Sequence, residues 1–355
     1  MEPFDFGSVL DATGARPVCG DRSLVFRSVS TDSRTTPPGS LFVALRGPRF
    51  DGNDHAADAL RRGAVGVFVS PGRAPDLAHP QACAEHADPA AALLALAAWH
   101  RRRFRVPVIG ITGSCGKTTT KDLTAACLRR LGPTVASEKS FNNDVGVPAT
   151  LLRLDRETRS AVVEIGTSGP GEIARLSAIA APTIGVITNI AEAHLEGLGT
   201  IEGVAREKGD LLEALPEDGV AILNADDRFF PALARRAGRR RVVRFALETE
   251  AEYTARDIVF HVAGASFTVQ GRAATIPLLG SHVVADALAA IAAAVEAGLS
   301  LDAALAALAQ IPPPERRLER KRFGEVEVLD DCYNANPASV RAAIRALAGL
   351  RLGRR

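Results

Sequence analysis

The sequence is poor in cysteine and in long apolar runs, and its net charge is close to zero. The five cysteines form no Cys-x-x-Cys pair, and their odd number argues against a disulfide framework and against a zinc site. We therefore expect free thiols. The 43 basic and 41 acidic residues leave a formal charge of +2, which gives no overall field to hold a nucleic acid.

Signals for membrane insertion or export are also missing. No run of about 18 apolar residues is present to cross a bilayer. The start of the chain, Met1-Glu-Pro-Phe-Asp5, lacks the basic residues and the apolar stretch of a signal peptide. We therefore expect a soluble protein of the cytoplasm. Its 355 residues, of which 46% are apolar, suffice for two or three domains with cores of their own.

Lysine is scarce as well, since five lysines stand against 38 arginines. Arginine is therefore the default cation of this chain. It cannot replace a compact ammonium group at a phosphate, and it cannot be carboxylated by CO₂. Lys117 and Lys208 are consequently candidates for positions where the chemistry requires a lysine, although this chain generally uses arginine.

The most informative segment that is present is 108–118, an apolar strand followed by the glycine-rich turn Thr-Gly-Ser-Cys-Gly and then by Lys-Thr. Gly113 and Gly116 allow backbone N–H groups to turn towards phosphate oxygens, Lys117 adds positive charge, and Thr118 offers a hydroxyl group to Mg²⁺. This pattern is typical of a loop that binds a nucleoside triphosphate.

The loop is a variant, because Ile111 stands where the strict G-x-x-x-x-G-K-[ST] pattern has glycine. The alternative is a glycine turn that binds no ligand. That alternative leaves unexplained both the lysine beside Gly116 and the three threonines that follow it.

Strand-like and helical patterns alternate along most of the chain. A small α/β domain is predicted over 1–103, including a helix that starts at Asp88-Pro89. A strand-then-helix rhythm follows and predicts a mostly parallel sheet wrapped by helices, with ligands at the carboxyl ends of its strands. We place these strands at 106–112, 161–165, 184–189, 220–224 and 241–245. The proline-rich segment 311–315 then marks a boundary, which gives predicted domains at 1–103, 104–318 and 319–355.

Several polar residues fall where these predicted strands end. Glu164 closes Ala-Val-Val-Glu, Asn189 closes Ile-Thr-Asn, and His194 follows five residues later. Carboxylate oxygen and imidazole nitrogen can both hold a divalent metal beside bound phosphates. Each residue alone is more often structural, but together and downstream of a phosphate loop they predict a site.

At this point the chain resembles the Mur ligase family. The resemblance rests on motifs that run in the family's order over nearly the whole sequence, and Ile111 agrees with the family's shorter phosphate loop. The motifs are Thr31-Asp-Ser-Arg34, Gly39-Ser-Leu-Phe-Val-Ala-Leu45, Arg49-Phe-Asp-Gly52, Thr112-Gly-Ser-Cys-Gly-Lys-Thr-Thr119, Phe141-Asn-Asn-Asp-Val-Gly-Val-Pro148, Glu164-Ile-Gly, Thr188-Asn-Ile190, Ala193-His-Leu-Glu-Gly-Leu-Gly199, Arg206-Glu-Lys-Gly209 and Asp330-Asp-Cys-Tyr-Asn-Ala-Asn-Pro337.

The resemblance implies an ATP-dependent, Mg²⁺-requiring ligase that forms an amide bond through an acyl phosphate. Within the family it is similar to the branch that adds D-alanyl-D-alanine to the UDP-N-acetylmuramoyl tripeptide of peptidoglycan. The implied fold is an N-terminal UDP-sugar-binding α/β domain and a central phosphate-loop domain. After them comes the first strand-helix unit of a Rossmann-like C-terminal domain that is incomplete here. We expect a monomer with small-molecule partners.

The resemblance also implies roles for individual residues. Lys117, Glu164, His194 and Lys208 are the catalytic candidates. Thr118 and Glu164 are expected to hold one Mg²⁺, and His194 with a carbamylated Lys208 a second. ATP is assigned to Gly113, Ser114, Cys115, Gly116, Lys117, Thr118, Thr119, Asn189, Arg317, Asp331, Tyr333 and Asn334. The UDP-sugar is assigned to Ser33, Arg34, Arg46 and Asp51, and the muramoyl peptide to Asn142 and Asn143.

The chain departs from the family near the adenine. The usual Gly-x-His-Asn-x-x-Asn reads Gly280-Ser-His-Val-Val-Ala-Asp286 here, so Val283 and Asp286 replace two amides and leave adenine selectivity open. Two other functions also remain open: another Mur or folylpolyglutamate-type ligase, and a non-catalytic fragment that binds ATP or a UDP-sugar. The motifs at 142–148 and 333–337 favour the D-alanyl-D-alanine branch.

Overall fold

A computed structural model describes most of the chain, and its described residues form two compact units. These residues are 1–75, 81–261, 263–312, 316, 318–324, 326–333, 335 and 337–349. The first unit comprises 1–105 together with 143–158, and the second comprises 106–142 and 159–355. The segment 143–158 therefore packs with the first unit, although it follows the phosphate loop in sequence. The sequence pattern contains no signal for this excursion.

The first unit contains a five-stranded sheet and the helices around it. Its elements are β1 Phe4–Asp5, α1 Phe6–Thr13, β2 Arg16–Gly20, β3 Val25–Phe26, β4 Ser28–Ser30, β5 Ser40–Val43, a 3₁₀ helix Gly52–His55, α2 Ala56–Arg61, β6 Gly66–Val69, β7 Ala82–Glu85, α3 Pro89–Arg101 and α5 Gly146–Leu151. The strand order in the sheet is β2-β7-β6-β5-β4. Strands β4 to β7 are parallel and β2 is antiparallel to β7. Asp88 caps the long helix α3 by accepting from the N–H groups of Ala90 and Ala91, as the Asp88-Pro89 pair predicts.

The second unit carries the phosphate loop, a large sheet and a C-terminal hairpin with its helix. Its elements are β8 Val108–Thr112, α4 Lys117–Leu128, β9 Thr134–Ala136, β10 Ser160–Glu164, α6 Glu172–Ala180, β11 Ile184–Ile187, α7 Leu195–Leu198, α8 Ile201–Glu213, β12 Val220–Asn224, α9 Phe230–Ala237, β13 Arg241–Ala246, β14 Tyr253–Thr254, β15 Arg256–His261, β16 Gly264–Val269, β17 Arg272–Ile276, α10 Ser281–Glu296, α11 Leu301–Leu308, β18 Glu319–Phe323, β19 Val326–Asp330 and α12 Pro337–Gly349.

The large sheet has seven strands in the order β14-β13-β12-β11-β8-β10-β9, and every neighbouring pair is parallel. The predicted α/β fold with a mostly parallel sheet is therefore confirmed. From β8 the chain first moves to one side of the sheet and then returns to the other side at β11. Ligands of open parallel sheets bind outside the carboxyl ends of the strands at such a reversal, which here means β8, β10 and β11.

Successive side chains of each strand point to opposite faces of this sheet. Helices cover both faces because apolar side chains project from each of them. Ile109 and Ile111 join the buried cluster that α4, α10 and α11 complete. Gly110, between them, faces the other way, where a β-carbon would lie 3.0 Å from the side chain of Leu211 on α8. Such double coverage explains why β8 is buried along its whole length and is apolar up to its last residue, Thr112.

Two smaller antiparallel sheets complete the second unit. Strands β15, β16 and β17 form one of them, and β19 pairs with β18 in the other. The sequence of β18, Glu-Arg-Lys-Arg-Phe, carries four charges. Strand β18 lies at the surface, so its pairing depends on backbone hydrogen bonds and leaves no apolar pattern to read. No helix within the described ranges is long and apolar enough to cross a membrane.

Candidate functional site

A cavity of about 710 Å³ lies at the carboxyl ends of β8, β10 and β11. It is lined by much of the site that the sequence predicts, including the phosphate loop, strand-end residues and the segment after β19. The predicted residues that it brings together are Ser114, Cys115, Gly116, Lys117, Thr118, Thr119, Asn142, Glu164, Asn189, His194, Asp331 and Tyr333. Arg317 and Asn334, also predicted, lie outside the described residues.

The phosphate loop takes a backbone conformation that its glycines permit. Gly113 has φ of 153° and Gly116 has φ of 80°, in the range that favours glycine. A β-carbon at Gly113 would lie 1.9 Å from Thr188 Oγ1, and one at Gly116 would lie 2.2 Å from Asp286 Oδ1. Any side chain at either position would therefore displace the loop. Asp286, one of the two departures from the family motif, packs directly against this loop.

Thr188 and Asn189, which follow β11, hold the phosphate loop through hydrogen bonds to Cys115. The Cys115 N–H donates to Asn189 Oδ1 at 3.0 Å, and the Asn189 side-chain amide donates to the Cys115 carbonyl at 3.1 Å. The Thr188 hydroxyl donates to the same carbonyl. Asn189 thus holds the loop in shape, which is a contribution that strand-end position alone does not reveal.

Lys117 and Thr118 occupy the first turn of α4, where helix N–H groups and the helix dipole attract anions. The Lys117 ammonium donates to the Gly113 carbonyl at 2.9 Å, which folds the side chain back over the loop. Thr118 is only 9% exposed, and its hydroxyl oxygen lies 3.3 Å from Ser140 Oγ.

Glu164 is buried at the end of β10, with 1% of its surface exposed. Its Oε1 accepts from the Asn142 side-chain amide at 2.8 Å. Its Oε2 is buried and has no hydrogen-bond partner among the described residues. An ionised oxygen buried in this way is costly unless a cation or a proton compensates it.

The oxygen atoms of Glu164 and Thr118 are suitable ligands for Mg²⁺. Among the described residues no group of three or more His, Cys, Asp or Glu side chains is placed to hold a metal. Mg²⁺ does not require such a cage, because it usually binds through one or two carboxylates together with substrate phosphates and water. The Glu164 carboxylate and the Thr118 hydroxyl, which line one cavity beside the phosphate loop, are hard oxygen ligands of this kind.

Lys208 lies on α8 with 1% of its surface exposed, and no hydrogen bond or ion pair involves its ammonium within the described part of the chain. Burial, reinforced by the positive charge of Lys117, lowers its pKa to about 7. The neighbouring Glu207 opposes this shift only in part, since its carboxylate accepts from the N–H groups of Gly171 and Ile173 at the start of α6.

His194 belongs to the same electrostatic group. It has φ of 54° immediately before α7, and its pKa is lowered mainly by burial and further by Lys208 and Lys117. Lys117 and His194 line the cavity, and Lys208, which does not line it, interacts electrostatically with both. Such an arrangement attracts anions and disfavours protonation of His194 and Lys208.

The residues predicted for the UDP-sugar lie in the first unit, at the carboxyl ends of two neighbouring parallel strands. Ser33 and Arg34 follow β4, and Arg46 and Asp51 follow β5, where they form an antiparallel bridge. Asp51 also accepts from the backbone and side chain of Asn53, so its carboxylate shapes the loop. Arg34 is exposed and ion-pairs with Asp32 at 2.7 Å.

The two asparagines predicted for the muramoyl peptide belong to different units. Asn142 belongs to the second unit and orients Glu164. Asn143 belongs to the first, where its side-chain oxygen accepts from the N–H groups of Val145 and Gly146 and so starts α5. Adjacent in sequence, they have different partners.

Cavity residues that were not among the predicted site residues include Ser140, Thr188, Asn224 and His282. Ser140 precedes a quoted motif, Thr188 begins one, and His282 lies within the quoted segment 280–286, which are the sequence signals that could have indicated these three residues. His282 is largely buried, and this burial lowers its pKa to about 4. It is therefore neutral at physiological pH and adds no charge to the cavity.

Comparisons with known proteins cover both units. The sequence model of the Mur ligase middle domain matches residues 111–294, and that of the Mur ligase family catalytic domain matches residues 25–98. The UDP-N-acetylmuramoyl-tripeptide–D-alanyl-D-alanine ligase of Escherichia coli (strain K12) is 41% identical over 327 residues, which cover 90% of this chain and 72% of that protein.

Solved structures are similar as well. MurF from Acinetobacter baumannii superposes with a TM-score of 0.91 at 32% identity, covering 98% of this chain and 77% of that one. The MurF ligase from Thermotoga maritima, solved in complex with ADP, gives a TM-score of 0.80 at 26% identity, covering 91% of this chain and 74% of that one.

Proposed function

This chain belongs to the Mur ligase family, and we propose that it joins D-alanyl-D-alanine to UDP-N-acetylmuramoyl tripeptide at the expense of ATP. The products are the pentapeptide precursor of peptidoglycan, ADP and phosphate. The identity to the Escherichia coli ligase supports this branch of the family over other amide-forming ligases.

The observation that carries the proposal is the buried Glu164 Oε2, which has no hydrogen-bond partner among the described residues and lines one cavity with Thr118 and the phosphate loop. We assign Thr118 and Glu164 to Mg²⁺ bound with the ATP phosphates. Bound there, Mg²⁺ supplies positive charge against the charge that develops on the transferring phosphoryl oxygens.

The first half of the reaction is transfer of the γ-phosphoryl group to the tripeptide carboxylate. A carboxylate is a poor electrophile with a poor leaving group, and phosphorylation supplies the leaving group. Lys117, at the start of α4, neutralises phosphate charge and holds the nucleotide in line. The loop N–H groups, fixed by Asn189 and Thr188, orient the phosphates for this transfer.

In the second half, the amine of D-alanyl-D-alanine attacks the acyl phosphate, phosphate leaves and an amide bond forms. We assign Lys208, as a carbamate, and His194 to a second Mg²⁺ site. Carbamylation turns a buried cation without a carboxylate partner into an anion beside Lys117, which relieves the repulsion between the two lysines.

Binding of the UDP-sugar is assigned to the first unit. Ser33, Arg34, Arg46 and Asp51 stand in loops at the carboxyl ends of adjacent parallel strands, where such folds bind ligands. Arginine side chains in these loops suit a diphosphate, because their planar donors pair with phosphate oxygens.

The decisive experiment measures phosphate release by the 355-residue chain with Mg²⁺–ATP and UDP-N-acetylmuramoyl tripeptide, with and without D-alanyl-D-alanine. We expect dipeptide-dependent release and formation of the pentapeptide, detected by mass spectrometry. Lys117→Ala should reduce the rate at least about 100-fold. The control Arg235→Ala, which removes an exposed cation on α9, should retain the wild-type rate.

Nucleotide binding without product would contradict the ligase and support a non-catalytic binding module instead. Product with a different amino acid in place of the dipeptide would assign the chain to another branch of the family.

A further inference from the structure

Three hydroxyl groups form a chain across the second unit. Thr118 Oγ1 lies 3.3 Å from Ser140 Oγ, and Ser140 Oγ lies 2.7 Å from the Tyr333 phenol oxygen. Thr118 lies in the first turn of α4, Ser140 lies between β9 and β10, and Tyr333 follows β19. Ser140 therefore bridges the phosphate loop and a segment 193 residues away in sequence.

Ser140 is held in place from both sides. Before it, the buried ammonium of Lys121 on α4 donates to the carbonyls of Ser137 and Lys139 at 3.0 and 2.9 Å. After it, Asn142 donates to Glu164. The loop that carries Ser140 is thus tied to α4 and to β10, the two elements that supply the proposed metal ligands.

The chain of hydroxyl groups has a direction once a metal is bound. Each hydroxyl has one hydrogen to donate and oxygen lone pairs to accept with. If Thr118 turns a lone pair to a cation, its hydrogen must point elsewhere, and Ser140 Oγ is within reach to accept it. The Ser140 hydrogen is then directed to the Tyr333 oxygen. Without the cation, either direction along the chain is equally available.

Tyr333 and Asp331, in the segment after β19, both line the cavity. Tyr333 is 44% exposed, its N–H donates to the Arg316 carbonyl, and Asp331 accepts from the Leu318 N–H at 3.2 Å. The hydrogen bond between Ser140 and Tyr333 joins this segment to the loop that lies beside Thr118, so a change in that bond acts directly on residues 331–333.

We propose that Ser140 is a positioning residue, which couples metal–nucleotide binding at Thr118 to the ordering of residues 331–333 through the hydroxyl chain Thr118–Ser140–Tyr333. The inference rests on the proposed function in so far as Thr118 faces a cation bound with ATP. It adds a residue that no motif of the sequence assigned to the reaction.

The test is amide hydrogen exchange of residues 326–333 with saturating ADP, in the presence of Mg²⁺ or of EDTA. In the wild type, Mg²⁺ should slow exchange of this segment roughly fivefold, a change of the size that one hydrogen bond contributes. Ser140→Ala and Tyr333→Phe should each abolish this slowing, while exchange of 112–121 still responds to Mg²⁺–ADP. Ser140→Thr, which keeps the hydroxyl, should restore it.

Full Mg²⁺-dependent slowing in Ser140→Ala or in Tyr333→Phe would overturn the coupling. So would a wild type that binds Mg²⁺–ADP and shows no slowing at 326–333. The Tyr333→Phe variant keeps the ring and carries the test if Ser140→Ala does not fold. Because the readout needs no ligation, failure of the ligase assay together with slowing at 326–333 would reject the proposed function and leave the coupling intact.

Discussion

The surroundings of Lys208 are unusual for a lysine. Its side chain is almost fully buried, and the charges that lower its pKa include another lysine, Lys117. A cation in this position is unfavourable, and a carbamate would exchange repulsion for attraction. The scarcity of lysine in the sequence pointed to this residue, whereas its burial and its neighbours became evident only in the folded chain.

Replacement of Lys208 by alanine tests the carbamate directly. We expect the ligation rate to fall about 100-fold or more, because the anion that completes the second metal site is lost. Short carboxylates such as acetate or formate should restore part of the activity, since they can occupy the vacated volume. The rate is measured against carboxylate concentration.

Lys208→Arg is the matched comparison, because arginine keeps the positive charge and cannot be carboxylated. It should be inactive, and carboxylates should not rescue it. A Lys208→Ala enzyme with full activity in carboxylate-free buffer would show that no carbamate is needed.

Among the structural elements, α4 has two roles. Its N-terminus is the proposed binding site of the phosphates, and one turn later the buried Lys121 donates to two carbonyls of the loop 137–142. This loop then delivers Ser140 to Thr118 and Asn142 to Glu164. A loop held by Lys121, which does not itself line the cavity, therefore contacts both proposed metal ligands.

Lys121→Met should weaken this clamp while filling a similar volume. Two carbonyl groups lose their donor, and we expect the free energy of unfolding of the second unit to fall by about 2 kcal/mol. Mg²⁺–ADP binding should weaken in parallel. Urea unfolding and calorimetric titration measure the two effects.

Asp122→Asn provides the control, because it removes the ion-pair partner of Lys121 at 2.7 Å and leaves the clamp. Asp122 is half exposed, so its loss should cost less than about 1 kcal/mol. Equal effects of the two variants would assign the stabilisation to the ion pair and not to the carbonyl clamp.

For the molecule as a whole, the chain divides into two compact units, and the only tryptophan, Trp99, lies in the first. In the first unit, His100 joins α3 to the segment 143–158, because its Nε2 donates to the Leu154 carbonyl at 3.0 Å while its Nδ1 accepts from Arg103. Burial lowers the pKa of His100 to about 4. The neutral ring is therefore a condition for the fold of this unit.

Acid should destabilise the first unit through His100. In the unfolded chain His100 has a pKa of about 6.5 and takes up a proton as the pH falls below this value. In the folded chain its ring stays neutral until about pH 4. Stability is thus retained above pH 6.5 and lost as the pH falls towards 4, by about 2 kcal/mol between pH 8 and pH 5. Urea unfolding followed by the fluorescence of Trp99, the single tryptophan, reports this unit.

His100→Gln should lower the stability at pH 8 and flatten its decline with acid. His55→Gln, which replaces a half-exposed histidine of the same unit, should leave the wild-type pH dependence unchanged. An unaltered slope in His100→Gln would mean that other groups cause the acid sensitivity.

The sequence by itself determined the phosphate loop, the strand-helix rhythm and the strand-end residues Glu164 and Asn189. These depend on local properties: glycine conformations, apolar periodicity and helix capping act over a few residues. Tertiary structure decided the rest. The return of 143–158 to the first unit, the burial of Lys208 and the contact of Ser140 with Tyr333 join residues far apart in the chain, and only the order of strands and the packing of helices determine which distant residues meet.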